Sequence, residues 1–206
     1  METAKPPLIR ETFPVGPLQC NCTIIGDPIS KKAIVVDPGG NPELILARLD
    51  ALGLKVVSII HTHAHLDHFL ASGQLKEKTG ATLHLHKEDQ FLWDNLEMQC
   101  QMFRVPYTPV PSPDRWLEHD EALACGCGVA LHTPGHTPGS MSFWFADANL
   151  MIINKIDLLP YLDFDIEQCI HYARQVNPEI QVIALSASSG EGMDMWLEWL
   201  EAQRCA

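Results

Sequence analysis

Three histidines and an aspartate lie within six positions of this 206-residue chain, in the order His-Ala-His-Leu-Asp-His from His63 to His68. The run follows an apolar, strand-like segment at residues 56–60. Neutral imidazole and carboxylate groups are good ligands for zinc and similar ions, and a bound ion makes hydroxide available near neutral pH. The run therefore predicts a metal site that performs hydrolysis.

The spacing within the run indicates two neighbouring metal positions. His63 and His65 are two residues apart, so in an extended segment both side chains point the same way and can share one ion. Asp67 and His68 follow where the loop is expected to turn into a helix, and they can face a second ion. The natural third ligand for the first ion is His136, in a loop framed by prolines and glycines. Three histidines with an open fourth position are typical of a catalytic zinc site.

Other histidines and cysteines are weaker candidates. Cys20 with Cys22, and Cys125 with Cys127, form C-x-C pairs that are tighter than the usual C-x2-C zinc knuckle. Free cysteines that act as small buried hydrophobic residues are the favoured interpretation. Four further histidines are expected to be polar surface or core residues rather than ligands: His84, His86, His119 and His132.

Strand and helix patterns alternate along the chain, which favours an α/β layered fold. Asn41 is expected to cap the first helix, and Gly53 to end it. Around the candidate site we expect strands at 23–26, 32–37, 56–60, 82–86, 129–132 and 140–145, and helices at 42–52 and 67–78.

The end of the chain repeats the same alternation. Residues 150–153 are fully apolar, which is typical of a parallel strand covered on both faces. Asp165 begins a second helix with a capping-box pattern, and residues 181–185 form another strand. The final helix is expected to pack through a core stripe: Met193, Trp196, Leu197 and Leu200.

The histidine run and the segment Pro-Gly-His-Thr-Pro-Gly-Ser at 134–140 resemble the metallo-β-lactamase superfamily, especially the glyoxalase II-like thioester hydrolases. The resemblance covers roughly residues 8–150, including Gln-Cys-Asn-Cys at 19–22 and Val-Asp-Pro-Gly-Gly at 36–40. It implies an αββα sandwich that binds two ions of zinc, iron or manganese and hydrolyses a small thioester such as an acylglutathione. The implied ligands are His63, His65 and His136 for one ion and Asp67 and His68 for the other, with Asp67 also catalytic.

One position departs from this family. Its members end the strand after the second histidine motif in Gly-Asp, and that aspartate bridges the two metals. Here Asn154 and Lys155 occupy those positions, and a lysine cannot bridge two cations. The only later histidine, His171, lies on an amphipathic helix and is not assigned as a ligand. We therefore expect one or two bound ions and weak or absent thioester hydrolysis.

Residues 151–206 resemble instead the C-terminal end of hydrogenase nickel-insertion GTPases, the HypB family. Asn154-Lys155-Ile156-Asp157 matches the guanine-reading Asn-Lys-x-Asp motif, and Ser186-Ala187 resembles its companion loop. The resemblance implies two segments, 1–150 and 151–206, the second being a βαβα segment of P-loop GTPase type that replaces half of the hydrolase. It also implies a possible hydrogenase-maturation partner. No G-x-x-x-x-G-K-[ST] loop is present in this sequence to hold phosphates, so GTP hydrolysis is not expected of it.

Three functions stay open at this point: an impaired metallohydrolase, a guanine-nucleotide or maturation-partner module on a vestigial metal scaffold, and a chimera without selected function. The net charge of -12 disfavours nucleic acid, and neither a basic patch nor an apolar run of about 18 residues suggests a membrane. The start of the chain lacks signal-peptide features, and its 7 cysteines are an odd number. We therefore expect a cytoplasmic location with reduced thiols.

Overall fold

The structure is a computed structural model, and it describes residues 6–126, 128–145, 150–162 and 164–204. The chain divides into two compact units, residues 1–145 and residues 146–206. The predicted boundary at residue 150, between a hydrolase-like and a HypB-like segment, stays a prediction.

Two β-sheets form the frame of the N-terminal unit. In the six-stranded sheet, neighbouring strands follow chain order, antiparallel from β1 to β3 and parallel from β3 to β6. These strands are β1 (Ile9–Val15), β2 (Cys20–Gly26), β3 (Lys32–Val36), β4 (Lys55–Ile60), β5 (Thr82–His86) and β6 (Arg115–Leu117). The antiparallel three-stranded sheet contains β7 (Glu121–Ala122), β8 (Gly128–His132) and β9 (Met141–Phe145).

The helices of this unit lie in the connections of the six-stranded sheet. They are α1 (Pro42–Leu52), α2 (Leu66–Phe69), α3 (Ser72–Thr79), α4 (Gln90–Asp94) and α5 (Leu96–Phe103). The proline-rich stretch after α5 forms no helix or strand before β6, as its composition predicts.

Strand β3 shows how the six-stranded sheet separates two apolar layers. Successive strand residues point to opposite faces. Val35 packs in the cluster that contains the helix residues Ile45 and Leu75. Ile34 and Val36 pack in the cluster that contains residues of the three-stranded sheet. The N-terminal unit therefore has a helix layer and two sheet layers, which confirms a mixed α/β fold of the metallo-β-lactamase kind.

The single helix expected at 67–78 is wrong, because the chain forms two helices there. Helix α2 ends at Phe69 and α3 begins at Ser72. Between them the Ala71 amide donates to the Pro38 carbonyl at 3.0 Å, and the Ala71 carbonyl accepts the first bond of α3 from Leu75. A bond to the neighbouring loop thus replaces the intrahelical bond.

The expected cap of α1 is also wrong. Asn41 has a left-handed backbone and makes no side-chain cap hydrogen bond. Its Oδ1 instead accepts from the Gly16 amide at 2.7 Å, which ties α1 to the end of β1. Gly53 ends the helix in the left-handed conformation, as expected.

The C-terminal unit contains two parallel strands, β10 (Leu150–Ile153) and β11 (Gln181–Ala184), and two α-helices, α6 (Ile166–Val176) and α7 (Met193–Arg204). Asp165 caps α6 by accepting from the Gln168 amide at 2.9 Å, as expected. Two packing expectations are wrong: Ile152 of β10 is 41% exposed, and in the predicted core stripe of α7 Leu197 is 54% exposed. A two-stranded sheet covers too little area to bury both faces of its strands.

Within the described part of the chain, no helix combines the length and the apolarity that crossing a bilayer requires.

Candidate metal centre

Three histidine nitrogens converge at the end of β4. His63 Nε2 lies 3.0 Å from His65 Nδ1, and His136 Nε2 lies 3.1 Å from the same atom. The rings meet edge to face, at interplanar angles of 78° to 86°. Tetrahedral zinc with bonds of about 2.05 Å requires nitrogens about 3.3 Å apart. The three-histidine cluster (His63, His65, His136) therefore fits a single ion, and its donor chemistry suits zinc or iron.

The two sheets supply different members of this cluster. His63 and His65 follow β4 of the six-stranded sheet, whereas His136 lies between β8 and β9 of the three-stranded sheet. The Met141 amide donates to the Thr62 carbonyl at 2.7 Å, which holds the start of β9 beside the histidine run.

Asp89, which sequence analysis missed, joins the two histidine loops. This residue is fully buried. Its Oδ2 accepts from the Ala64 amide at 3.0 Å and from Thr137 Oγ1 at 2.7 Å, and its Oδ1 accepts from the Gly139 amide at 2.7 Å. A Cβ added at Gly139 would lie only 2.7 Å from Asp89, so this close approach requires glycine. One carboxylate thus fixes Ala64, between the first two histidines, against the loop that carries His136.

Two histidines of the cluster have lowered pKa values, which favours the binding of a cation. Burial, and then the neighbouring histidines, lower the pKa of His63 to about 2. Burial and His136 likewise lower the pKa of His65. Since a metal binds the unprotonated imidazole, neither residue needs to lose a proton at neutral pH before it binds a metal.

Asp67 and His68 lie at the start of α2, beside the three-histidine cluster. Asp67 Oδ2 is 3.6 Å from His68 Nε2, and the ring centroids of His63 and His68 are 3.9 Å apart. Asp37, at the end of β3, lies behind this pair: its Oδ2 is 3.0 Å from His68 Nδ1. Thr62 fixes Asp37 by donating from its amide at 2.8 Å and from its hydroxyl at 2.6 Å.

Asp37 orients His68 so that Nε2 faces Asp67. A carboxylate behind a histidine is the common support for a metal-binding imidazole. Burial lowers the pKa of His68, but hydrogen bonds to Asp37 and Cys20 outweigh burial and raise it to about 10. A cation at Nε2 must therefore displace a proton when it binds.

Cys20 also lies close to this pair, at the first residue of β2. Its Sγ is 3.5 Å from His68 Nδ1, and the ligand atoms of Cys20, Asp67 and His68 all lie within 4.8 Å of one another. Cys20, Cys22 and Cys125 are free and buried, as expected, whereas Cys127 lies outside the described residues. We call Cys20, Asp67 and His68 the second cluster.

The four histidines that were not expected to be ligands belong to neither cluster. His84 is buried, with Nε2 2.7 Å from Thr82 Oγ1. His86 and His132 stack at 3.9 Å with an interplanar angle of 18°, and Glu88 lies beside them. Imidazole lone pairs lie in the ring plane, so face-to-face rings direct them in parallel rather than at a shared ion. His119 Nδ1 accepts from the His132 amide at 3.2 Å.

In the C-terminal unit the structure brings together the residues of the two nucleotide-related motifs. Asn154 Oδ1 accepts from the Lys155 amide at 2.7 Å and from the Ala187 amide at 3.1 Å. The Ser186 hydroxyl donates to Asp157 Oδ1. The loops after β10 and β11 therefore form one hydrogen-bonded cluster. His171 lies on α6, exposed, with Nε2 3.0 Å from Gln175 Nε2.

The family model described as "Metallo-beta-lactamase superfamily" matches residues 15–153, which include all of the histidine ligand candidates. The chain belongs to this superfamily. The match ends directly before Asn154, the first residue of the predicted departure.

Relatives within the superfamily support a hydrolase. The chain is 37% identical to the hydroxyacylglutathione hydrolase GloC of Haemophilus influenzae over 137 residues, which are 65% of this chain and 64% of that protein. The structure of TTHA1623 in a di-iron-bound form shares 26% identity with a TM-score of 0.66, covering 84% of this chain and 90% of that one. BLEG-1, a B3 metallo-beta-lactamase, shares 26% identity with a TM-score of 0.62 over 71% of each chain.

Another relative matches a shorter part of the chain. Over 62 residues the chain is 69% identical to the hydrogenase maturation factor HypB of Escherichia coli K12. That segment is 30% of this chain and 21% of HypB. The chain thus spans about a fifth of HypB and less than two thirds of GloC.

Proposed function

We propose that the chain is a metal-dependent hydrolase of the glyoxalase II-like type, acting weakly on a small thioester such as an acylglutathione. The convergence of His63, His65 and His136 on one point, with Asp67 and His68 beside them, carries the proposal. The hydroxyacylglutathione hydrolase relative supports the substrate class.

Each residue of the site has a proposed role. The three-histidine cluster binds one ion, and Asp67 and His68 bind a second. When bound, zinc, iron or manganese supplies a Lewis acid and a water of lowered pKa. Asp67 accepts a proton from the attacking water at a carboxylate oxygen, and Asp37 keeps the His68 ring oriented through Nδ1.

The weakness of the activity follows from the missing bridging carboxylate. By our placement, Asn154 and Lys155 stand where the superfamily has Gly-Asp. A lysine offers no acceptor to a cation and repels it when protonated. Two ions without a shared anionic ligand repel each other more strongly, so we propose that the second ion binds less tightly and that turnover falls.

The assay uses the full chain, loaded separately with zinc, iron or manganese, and an acylglutathione substrate. We expect slow hydrolysis that a chelator abolishes. His136→Ala should lower it at least about 100-fold, because the first ion loses one of its three ligands and the residues that merely support such ligands are already worth about 10–100-fold. His171→Ala is the matched control, because it removes an exposed histidine of the C-terminal unit, and it should leave the rate unchanged. Hydrolysis that survives both chelation and His136→Ala would overturn the proposal.

A second candidate function is guanine-nucleotide binding by the C-terminal unit, as part of a maturation-partner module. The observation in its favour is the hydrogen-bonded cluster of Asn154, Asp157, Ser186 and Ala187 with Lys155. Isothermal titration with GDP, beside ADP as the control nucleotide, tests it. Heat with GDP alone that Asp157→Ala removes would support it; the absence of heat with either nucleotide at millimolar concentration would refute it. Failure of this test and of the thioester assay would leave the chain as a chimera without either activity.

A further inference from the structure

The second cluster contains a sulfur atom beside the two ligands that were expected there. Cys20 Sγ lies 3.5 Å from His68 Nδ1 and 3.9 Å from His68 Nε2. Cys20, Asp67 and His68 each offer one ligand atom, and these three atoms all lie within 4.8 Å of one another. A cation between them would have three different donors: a thiolate, a carboxylate and an imidazole.

Three backbone segments hold these donors in place. Cys20 begins β2 and pairs with Val15 of β1. Asp67 and His68 lie in α2, whose approach depends on Gly39: a Cβ there would lie 1.5 Å from the Asp67 carbonyl oxygen and 3.3 Å from Cys20 Cβ. Because Gly39 has no side chain, the start of α2 can lie directly against the start of β2. The cluster is therefore set by rigid elements rather than by long flexible side chains.

Charge and ligand number give Cys20 a role. Asp67 and His68 alone give an ion two protein ligands and one negative charge, fewer than the three or four that zinc requires. A thiolate adds a third ligand and a second negative charge. Sulfur with imidazole and carboxylate also favours zinc over manganese, which prefers oxygen ligands.

We propose that Cys20 is the third protein ligand of the second ion and supplies the anionic charge that the absent bridging aspartate would otherwise provide. The Cys20 thiol would lose its proton to solvent on binding the ion. The inference rests on the proposed metal centre of the chain, but not on its thioesterase activity. Its consequence is a second ion bound by Cys20, Asp67 and His68 and not shared with the three-histidine cluster.

Cobalt(II) substitution tests the assignment, because a thiolate bound to cobalt gives a charge-transfer absorption in the near ultraviolet that imidazole and carboxylate do not. The full chain, titrated anaerobically with cobalt, should bind two ions and show this band. Cys20→Ser should lose the band and one of the two ions. Cys22→Ser and Cys100→Ser are matched controls, since both remove buried thiols, and both should keep the band and both ions.

Two further variants separate this inference from the proposed function. His136→Ala should lose the first ion but keep the thiolate band. Cys20→Asp should keep two ions without the band, which distinguishes a ligand from a structural thiol. Cobalt bound to the wild-type chain without a thiolate band, or a band unchanged in Cys20→Ser, would overturn the role of Cys20 and leave the three-histidine site intact. No bound cobalt at all would overturn both.

Discussion

Apolar residues are buried to very different degrees in the two units. In the N-terminal unit the central-strand residues Ile24, Ile34 and Ile59 are all 0% exposed. In the C-terminal unit, Ile152 on β10 is 41% exposed and Leu197 on α7 is 54% exposed. The sequence patterns of both units predict burial, but in the second unit it is reached at Ile183 and Leu185 and not at Ile152 or Leu197.

The difference teaches that a regular apolar pattern does not by itself bury a side chain, because burial also requires a partner surface. Among the described residues of the C-terminal unit, the two-stranded sheet leaves Ile152 partly exposed. We expect the free energy of unfolding to be concentrated in the N-terminal unit.

The largest expected difference between the units comes from removing a buried carboxylate in one and an exposed cap in the other. Asp89→Ala leaves the buried amides of Ala64 and Gly139 unpaired and removes one partner of the Thr137 hydroxyl, which still has Ser140 Oγ at 2.9 Å. At about 1–3 kcal/mol for each unpaired donor, plus the lost Thr137 bond, the change should cost about 3–5 kcal/mol of unfolding free energy. It should also weaken zinc binding about 10–100-fold, because the histidine loops lose their shared anchor. Asp165→Ala removes a single cap bond and should cost about 1 kcal/mol.

Urea denaturation followed by circular dichroism gives the stabilities, and competition with a chromophoric chelator gives the zinc affinities. Unchanged zinc affinity in Asp89→Ala would show that the two histidine loops are positioned without this carboxylate.

Truncation of one apolar side chain in each unit tests the contrast in burial directly. Phe69 is 0% exposed and stacks on Trp93 with ring centroids 4.1 Å apart, so Phe69→Ala should cost about 3–5 kcal/mol. Leu197→Ala should change stability by no more than about 0.5 kcal/mol, because more than half of the side chain is already exposed. Hydrogen exchange with mass spectrometry resolves the two units separately. Equal losses of protection in the two variants would contradict the comparison.

The smallest of the three effects is a pH dependence of the unfolding free energy of the N-terminal unit, which arises from His61. This side chain is 0% exposed, and its ring nitrogens lie 2.7 Å from the His84 carbonyl and 2.8 Å from Ser72 Oγ. Burial, the largest influence, lowers its pKa to about 4. In the unfolded chain His61 becomes protonated below about pH 6.5, whereas in the folded chain it becomes protonated only near pH 4. Stability should therefore fall as the pH drops through this window, by up to about 3 kcal/mol.

His61→Gln keeps one donor and one acceptor but does not titrate, so it should flatten this part of the profile. The measurement compares unfolding free energies from pH 7 to pH 4 in chelator-treated protein. His171→Gln, at an exposed histidine of α6, is the control. An unchanged slope in His61→Gln would show that other groups produce the acid sensitivity.

Much of the candidate metal centre could be predicted, because the type and spacing of its candidate ligands are distinctive. His63, His65 and His136 were expected together from residues that lie far apart in the chain, and the structure brings their nitrogens together. Asp37 left a weaker signal, as an aspartate that directly follows a buried strand. Asp89 left none, because its role depends on a contact between two sheets whose packing no local pattern specifies.

The errors share one physical cause, namely tertiary contacts that override local preference. Asn41 has the right type and place for a helix cap, but its side chain binds the Gly16 amide instead. The helix expected at 67–78 breaks because the Pro38 carbonyl takes the amide of Ala71. The stripe on α7 has the right period, yet the expected burial of Leu197 requires a partner surface that periodicity cannot supply. The favoured interpretation of Cys20 as a buried thiol is confirmed, but its proximity to His68 could not be predicted, because it arises from the pairing of distant elements.

The placement of His136 on a different sheet from His63 and His65 has a consequence for the life of the chain in a cell. An ion bound by these three histidines would cross-link the two sheets. This link would add to the hydrogen bond from the Met141 amide to the Thr62 carbonyl. Binding that favours the folded state stabilises it in proportion to the logarithm of the free ion concentration. The abundance of the protein in the cell would then depend on the supply of metal, because proteases would preferentially degrade the metal-free chain.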